Sequence, residues 1–239
     1  MMGWIEGARL ELPAGFEGRF GLVEMKDVRV DESPLEMQTE IEAFCNDLLE
    51  QGAATPEEWK QAVRGLLKQT GFKPSGRSKP SSEYQMQSLH STGEFKFINT
   101  LVDMNNRISL ESYLPISVLD VDAFRGNLVI RVGRPGERFV FNPAGQEIDL
   151  KNLIVACDDG HPVEHEGESL PKPLGNPIKD SMDGKLRENE TTHAVGILYA
   201  PLKVDNARMQ RYLDLWGKMA TQFAAATEIH TRQLVTGDA

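Results

Sequence analysis

The run from Asn99 to Asp122, Asn-Thr-Leu-Val-Asp-Met-Asn-Asn-Arg-Ile-Ser-Leu-Glu-Ser-Tyr-Leu-Pro-Ile-Ser-Val-Leu-Asp-Val-Asp, limits what this chain can fold into more than any other stretch. Its first half predicts a helix with Leu101, Val102, Ile108 and Leu110 as apolar positions. Pro115 ends the helix, because proline disfavours helical geometry in the residue before it. The polar residues inside the run are the unusual part. Asp103, Asn105, Asn106 and Arg107 sit among apolar neighbours, and Asn and Asp are weak helix formers that compete for backbone hydrogen bonds. A buried amide requires a hydrogen-bond partner, so some of these groups are expected to face backbone, water or a ligand.

The rest of the chain reads as short strands and amphipathic helices. Residues 8–12 and 20–30 alternate around the turn at Pro13–Gly15. Ser33-Pro34 starts a helix over 35–51 with Ile41, Phe44, Leu48 and Leu49 as its stripe. Thr55, Pro56 and Glu58 form the expected cap of a second helix, which runs to about Gln69 with Val63, Leu66 and Leu67 inward and Gly71 as its stop. Residues 127–132 are a strand expected to pair with 138–141, and 153–157 is a short buried strand ending at Asp158-Asp159-Gly160. Residues 161–189 are irregular, 194–199 form a strand, and 205–233 read as one long helix with Met209, Tyr212, Leu213, Trp216, Met219, Ala220 and Phe223 on one face. Together these predict an α+β fold: a β-sandwich-like core with flanking helices, the last helix packing across it.

Composition bounds the function. With 239 residues the chain can bury a sizeable core, and no apolar run approaches the ~18 residues of a membrane span. The first residues show no basic patch followed by an apolar segment, so no secretory signal is predicted and cytoplasm is the expected location. Cys45 and Cys157 stand in unrelated contexts and have no zinc spacing. His161-Pro-Val-Glu-His165 is no helical metal motif, because Pro162 breaks the i, i+4 geometry; no metal or other cofactor is expected. The net charge of −10 is unfavourable for coating nucleic acid, yet residues 60–79 carry Lys60, Arg64, Lys68, Lys73, Arg77 and Lys79 and no carboxylate. That run is either a solvated face or a patch for RNA phosphates.

The central run resembles the pattern "NxVDxTNYxMLExGxPxHxFD" of the editing domain, the B3/4 module, of the bacterial phenylalanyl-tRNA synthetase β subunit. Val102-Asp103, Asn106, Leu110-Glu111, Pro115 and Asp120 fall in register without a gap. Ser117 stands where that pattern has histidine, a residue that free-standing relatives of the module also tend to lack. Lys79-Pro80-Ser81-Ser82-Glu83 is similar to the "RPSxE" motif of those relatives, with Ser82 read as a helix cap, and residues 127–160 and 188–200 follow the module's order of strands. The resemblance implies a synthetase editing-domain-like fold over 72–202, an N-terminal segment 1–71 packed on it, and a C-terminal helix in 203–239 belonging to the same globule.

It also implies tRNA, aminoacylated or not, as partner. The implied activity is that of a trans-acting aminoacyl-tRNA deacylase, an ester hydrolase removing a wrong amino acid from the tRNA 3′ end. The alternative is a non-catalytic module binding tRNA or an amino-acid-like ligand; a plain metabolite-binding domain is the third option. Family hydrolysis uses water and positioned polar groups, so no catalytic side chain is assigned. The implied ligand-binding residues are Asn105, Asn106, Ser117 and Thr191, with Thr192 as neighbour. The implied tRNA-facing residues are Lys60, Arg64, Lys73, Arg77 and Lys79.

Overall fold

The computed structural model describes residues 4–236, the Arg77 side chain excepted. Two layers of strand, one mixed and one antiparallel, and one layer of helix make up the fold. The first sheet has the order β1-β4-β7-β8, from β1 (Arg9–Glu11), β4 (Leu128–Val132), β7 (Ile154–His165) and β8 (Glu168–Gly175). Its β1–β4 pair is parallel and the others are antiparallel. The second sheet is antiparallel throughout, in the order β10-β2-β9-β3: β10 (Glu228–Val235), β2 (Arg19–Lys26), β9 (His193–Ala200) and β3 (Ile116–Asp120). A separate hairpin joins β5 (Arg138–Val140) to β6 (Glu147–Asp149).

The second sheet is buried on both faces, and the period-two alternation of its strands sorts side chains between two cores. Val195, Ile197 and Tyr199 of β9, with Phe20 and Leu22 of β2, join Val129, Val155 and Cys157 of the first sheet. Ala194 and Leu198, with Val23 and Met25, face the other way into the helices. Those helices are α1 (Leu35–Glu50), α2 (Glu57–Lys68), α3 (Ser81–Thr92), α4 (Thr100–Ser112) and α5 (Asn206–Phe223). The fold is thus α+β, with two facing sheets and helices on the outer face of one.

The central run behaves as its pattern predicts. Asn99 caps α4 by accepting the Val102 N–H at 3.0 Å. Tyr113 closes the helix in the left-handed region at φ 63°, and after Pro115 the chain enters β3. Four expectations fail. Residues 138–141 pair with β6, not with β4, whose neighbours are β1 and β7. The strand expected to end at Gly160 continues to His165 and turns into β8, so 161–175 is a hairpin; two of its three prolines, Pro171 and Pro173, lie on the edge strand, where a missing N–H is tolerated, and Pro162 lies on β7. The last helix stops at Phe223; Ala225 turns left-handed at φ 58°, and 228–235 pair with β2 along eight residues. The caps are displaced as well: α2 and α3 begin behind Pro56 and Pro80, one residue after Thr55 and two before Ser82, and no side chain, neither of Thr55 nor of Ser82, caps them.

Candidate ligand cleft

On the helical side of β3, a cleft of about 920 Å³ opens between α3, α4, the β5–β6 hairpin and the segment 176–186. Its walls follow from local sequence. β3 presents Ile116 and Val118 to it, and α4 presents Val102, Asn105 and Asn106, one helical turn apart. The hairpin brings Phe141, Asn142 and Gln146, and the start of α3 brings Ser81, Tyr84 and Gln85. The 176–180 turn is folded by Asn176, whose Oδ1 accepts the N–H groups of Ile178 and Lys179 at 2.8 and 2.9 Å. Ser81 docks on this turn by donating its N–H to the Pro177 carbonyl at 2.8 Å.

Buried polar atoms without a hydrogen-bond partner concentrate here. Ser81 Oγ, Asn105 Oδ1, Asn176 Nδ2 and Asp180 Oδ1 all belong to residues lining the cleft. Orphaned buried polar atoms are few in folded proteins and each calls for an explanation. For Asn105 the cause is visible: its Nδ2 donates to Asn106 Oδ1 at 3.1 Å, leaving its own oxygen unfilled. Asn106 Oδ1 also accepts from Gln85 Nε2 at 2.9 Å, which fixes the pair of amides on α4.

The charges of the cleft are mostly positive. Lys79, Lys179 and Lys185 line it against the single carboxylate of Asp180. Burial pushes the Asp180 carboxyl up to about 7; the Ser117 hydroxyl and the Lys185 ammonium offset only part of that. Its folded pKa lies above the ordinary 3.8, so the stability present below 3.8 is lost as pH rises to about 7. Burial and the neighbouring Lys185 lower the Lys179 pKa. Lys179 Nζ stands 5.1 Å from the centre of the Tyr84 ring and 5.5 Å from that of Phe141, close enough for a cation–π contact.

The residues expected at the site are not all brought together. Asn105, Asn106 and Lys79 line the cleft. Ser117 does not: on β3 it points away from Ile116 and Val118, and its Oγ lies 3.3 Å from the Asn176 carbonyl, to which it donates, and 3.2 Å from Tyr199 Oη. Alternation on a strand flips every second side chain, so Ser117 backs the cleft from behind. Thr191 is also outside it. Its Oγ1 donates to Asp120 Oδ2 at 2.8 Å and accepts the Arg187 N–H at 2.9 Å, tying down a turn. Thr192 is exposed and bonds Asp122. Asp103 is structural, accepting from Ser33 Oγ at 2.6 Å and from the Ile98 N–H at 2.8 Å.

Lys60 and Arg64 line a shallower groove of about 390 Å³ beside the cleft, and Lys79 lines both. Arg64 is occupied there by a two-pronged pair with Glu83, both contacts at 2.7 Å, and Lys60 lies 3.4 Å from Glu57. Lys73 is exposed and lines neither hollow. Arg77 belongs to the short turn Gly76–Ser78, and its side chain lies outside the described groups. Sequence reasoning missed Asn176, Lys179, Asp180 and Lys185. The one signal for them was Asn176-Pro177, a turn-forming dipeptide inside a stretch that composition marks as loop.

Among the described residues no three His, Cys, Asp or Glu side chains cluster as a metal site, and no described helix is long and apolar enough to cross a membrane.

Residues 73–167 match the profile of the family described as the B3/4 domain. Over 81 residues the chain is 35% identical to the phenylalanine–tRNA ligase beta subunit of Bartonella henselae, a match covering 34% of this chain and 10% of that protein. The same subunit of Idiomarina loihiensis is 24% identical over 143 residues, 59% of this chain and 17% of that one. The matches thus span between a tenth and a sixth of the length of these relatives. An N-terminal fragment of the phenylalanyl-tRNA synthetase beta subunit from Pyrococcus horikoshii superposes with a TM-score of 0.48 and 10% identity, over 99% of this chain and 56% of that one.

Proposed function

We propose, for a chain whose residues 73–167 match the B3/4 domain, that the cleft receives the aminoacylated 3′ end of a tRNA and that the protein is an editing-type module. The observation supporting this is the set of orphaned atoms at the cleft. Asn176 Nδ2 offers a donor, Asn105 and Asp180 offer acceptors, and Ser81 offers a hydroxyl. An aminoacyl ester supplies the complement, an ammonium group for the acceptors and a carbonyl for the donor. The apolar walls of Val102, Ile116, Val118 and Ile178 leave room for its side chain. Lys79, Lys179 and Lys185 suit the phosphates that accompany a tRNA terminus.

The activity we propose is hydrolysis of that ester by a water positioned in the cleft, acting in trans. Ser117 is no nucleophile for a ligand in the cleft: although the Asp180 carboxyl adjoins it, its hydroxyl faces away from the cleft and is held by the Asn176 carbonyl and the Tyr199 phenol. That same fact is what favours the second reading, a module that binds the aminoacyl end without hydrolysing it.

A panel of misacylated tRNAs incubated with the wild type and with Asn106→Ala tests the two readings. Hydrolysis of at least one ester, slowed about fivefold or more in the variant, supports the deacylase, since removing one positioning hydrogen bond of ~1–3 kcal/mol has an effect of that size. Binding without turnover by a folded protein leaves the binding module. A protein that neither binds nor hydrolyses any member of the panel removes both.

The lysines give a separate expectation. Reversing Lys79 and Lys179 to Glu weakens binding of all tRNA sequences alike and lowers the salt-dependence slope by about one for each phosphate that is no longer neutralised. Titrations of a labelled tRNA at several salt concentrations check this. Unchanged affinity and slope would reduce these lysines to solvated surface.

A further inference from the structure

Asp180 stands apart from the other groups of the cleft. It lines the cavity, yet its Oδ1 is buried with no hydrogen-bond partner among the described residues. The fold crowds it into place. A Cβ on Gly175 would fall 2.7 Å from Asp180 Oδ1 and 3.2 Å from Ser117 Oγ, so only glycine at 175 admits the carboxyl beside the Ser117 hydroxyl. The carboxyl as a whole takes hydrogen bonds from the Ser117 hydroxyl and from the Val118 and Asn176 backbone, but burial outweighs them and one oxygen stays unfilled, a cost that a ligand donor would remove. Asn105, on α4, also lines the cleft, and its Oδ1 is a second buried, unfilled acceptor. Two unfilled acceptors, one of them ionisable, call for a ligand group that is both cationic and rich in donors. The protein's own candidates do not complete it: Lys179 rests against the Tyr84 and Phe141 rings, and Lys185 offsets only part of the burial of the carboxyl.

We infer that Asp180 reads the free α-ammonium group of the ligand, so that the cleft accepts aminoacyl compounds with an unblocked amine and rejects their N-acylated counterparts. This rests on the cleft being an aminoacyl site, but not on its being hydrolytic. The carboxylate takes the ammonium as a charge-assisted hydrogen bond in a poorly solvated place, where such bonds are strongest. An N-acyl group removes the charge and two donors, and sets a bulky amide against the buried oxygen. Asp180 acts here as a specificity residue and takes no covalent part.

The probes are the carboxamides of leucine, methionine, phenylalanine and tyrosine and their N-acetyl derivatives, which cannot be turned over as esters. Calorimetry on the whole chain should find at least one free-amine probe bound about tenfold or more tighter than its acetylated form, with Asp180→Asn binding both forms alike. The wild type supplies a readout independent of the variant's folding. Carbon-detected NMR should find the Asp180 carboxyl titrating near the value of about 7 set by its burial. Saturation with the free-amine probe should lower that midpoint by about one unit for each tenfold preference for the ionised form. Equal binding of free and acetylated probes, an unmoved midpoint with probe bound, or no binding of any probe at millimolar concentration would each overturn the inference.

Failure of the hydrolase is separable from failure of the amine reading. Amine-dependent binding with no turnover of misacylated tRNA upholds Asp180 and removes the enzyme. Deacylation of N-acetyl-aminoacyl-tRNA as fast as of the free form keeps the enzyme and sinks the amine reading.

Discussion

Replacing Arg131 by methionine is expected to cost about 3–5 kcal/mol of folding stability, while the double substitution Arg131→Met, Glu137→Leu recovers most of that loss. The two side chains are 6% and 4% exposed and meet through two hydrogen bonds of 2.8 and 2.6 Å. Arg131 donates further to the carbonyls of Val132 and Pro171, and Glu137 accepts the Arg134 N–H. Burial pushes the Glu137 carboxyl up, but Arg131 and that amide outweigh it and hold the pKa below the ordinary value. Removing only the cation leaves a carboxylate in the interior without its counter-charge, and that orphan is the source of the cost. Urea unfolding of the single and double variants measures it. A single variant within about 1 kcal/mol of wild type, or a double variant no better than the single, would mean the pair is not the tie described. The consequence extends to the cleft, because Glu137 adjoins β5, whose hairpin carries Phe141, Asn142 and Gln146 into the wall.

Gly196→Ala is expected to destabilise by about 3 kcal/mol, lowering the melting temperature by about 6–12 °C in a chain of this size. Gly196 sits in the middle of β9 between Val23 and Val118 on the flanking strands. Trp216 of α5, fully buried, lies flat against it. An added Cβ would stand 2.3, 2.5 and 2.6 Å from three carbons of the indole ring, where no rotation of a flexible tip can relieve it. Either α5 lifts or the strand bends, and Val118, a cleft wall, is the neighbour that moves with the strand. Trp216→Phe introduced beside Gly196→Ala should restore part of the loss by making room. Differential scanning calorimetry decides; a melting point within about 2 °C of wild type would show that the helix yields freely.

How much of this could be read beforehand varied with the range of the interaction. The helix α4 and its stop before Pro115 are local properties of spacing and backbone preference, and they were legible; its Asn99 cap was not read. The two amides on α4 were legible as anomalies too, because an Asn-Asn pair in an apolar helix conflicts with propensity at once. Strand partners were not. Turn chemistry at Asn142–Gly145 announces a hairpin, but it does not say whether Arg138–Val140 pairs backward onto β4 or forward onto β6. The face of Ser117 was equally hidden. β3 is buried on both sides, so Ile116-Ser117-Val118-Leu119 carries no polar face to mark which residues meet solvent or ligand. The end of α5 was misread because Ala224, Ala225 and Ala226 favour helix, whereas the full-length pairing of β10 with β2 outweighs that local preference. Asp180 could not be found at all, since a carboxyl in a proline- and glycine-rich stretch has no pattern. Its burial comes from Ser117 and Gly175, brought to it only by the fold.

The four strands behind the cleft come from widely separated parts of the chain: β2 lies before residue 73, β9 and β10 after residue 167, and β3 alone within the segment that matches the B3/4 profile. The heritable unit recognised by sequence and the unit that folds are therefore different objects. Cut at its sequence borders, the 73–167 segment would keep α3, α4 and β3 but lose every hydrogen-bonded neighbour of β3, together with α5, which packs against α4. In this chain the matched segment supplies part of a surface, and the scaffold that makes it solid comes from the residues on both sides of it.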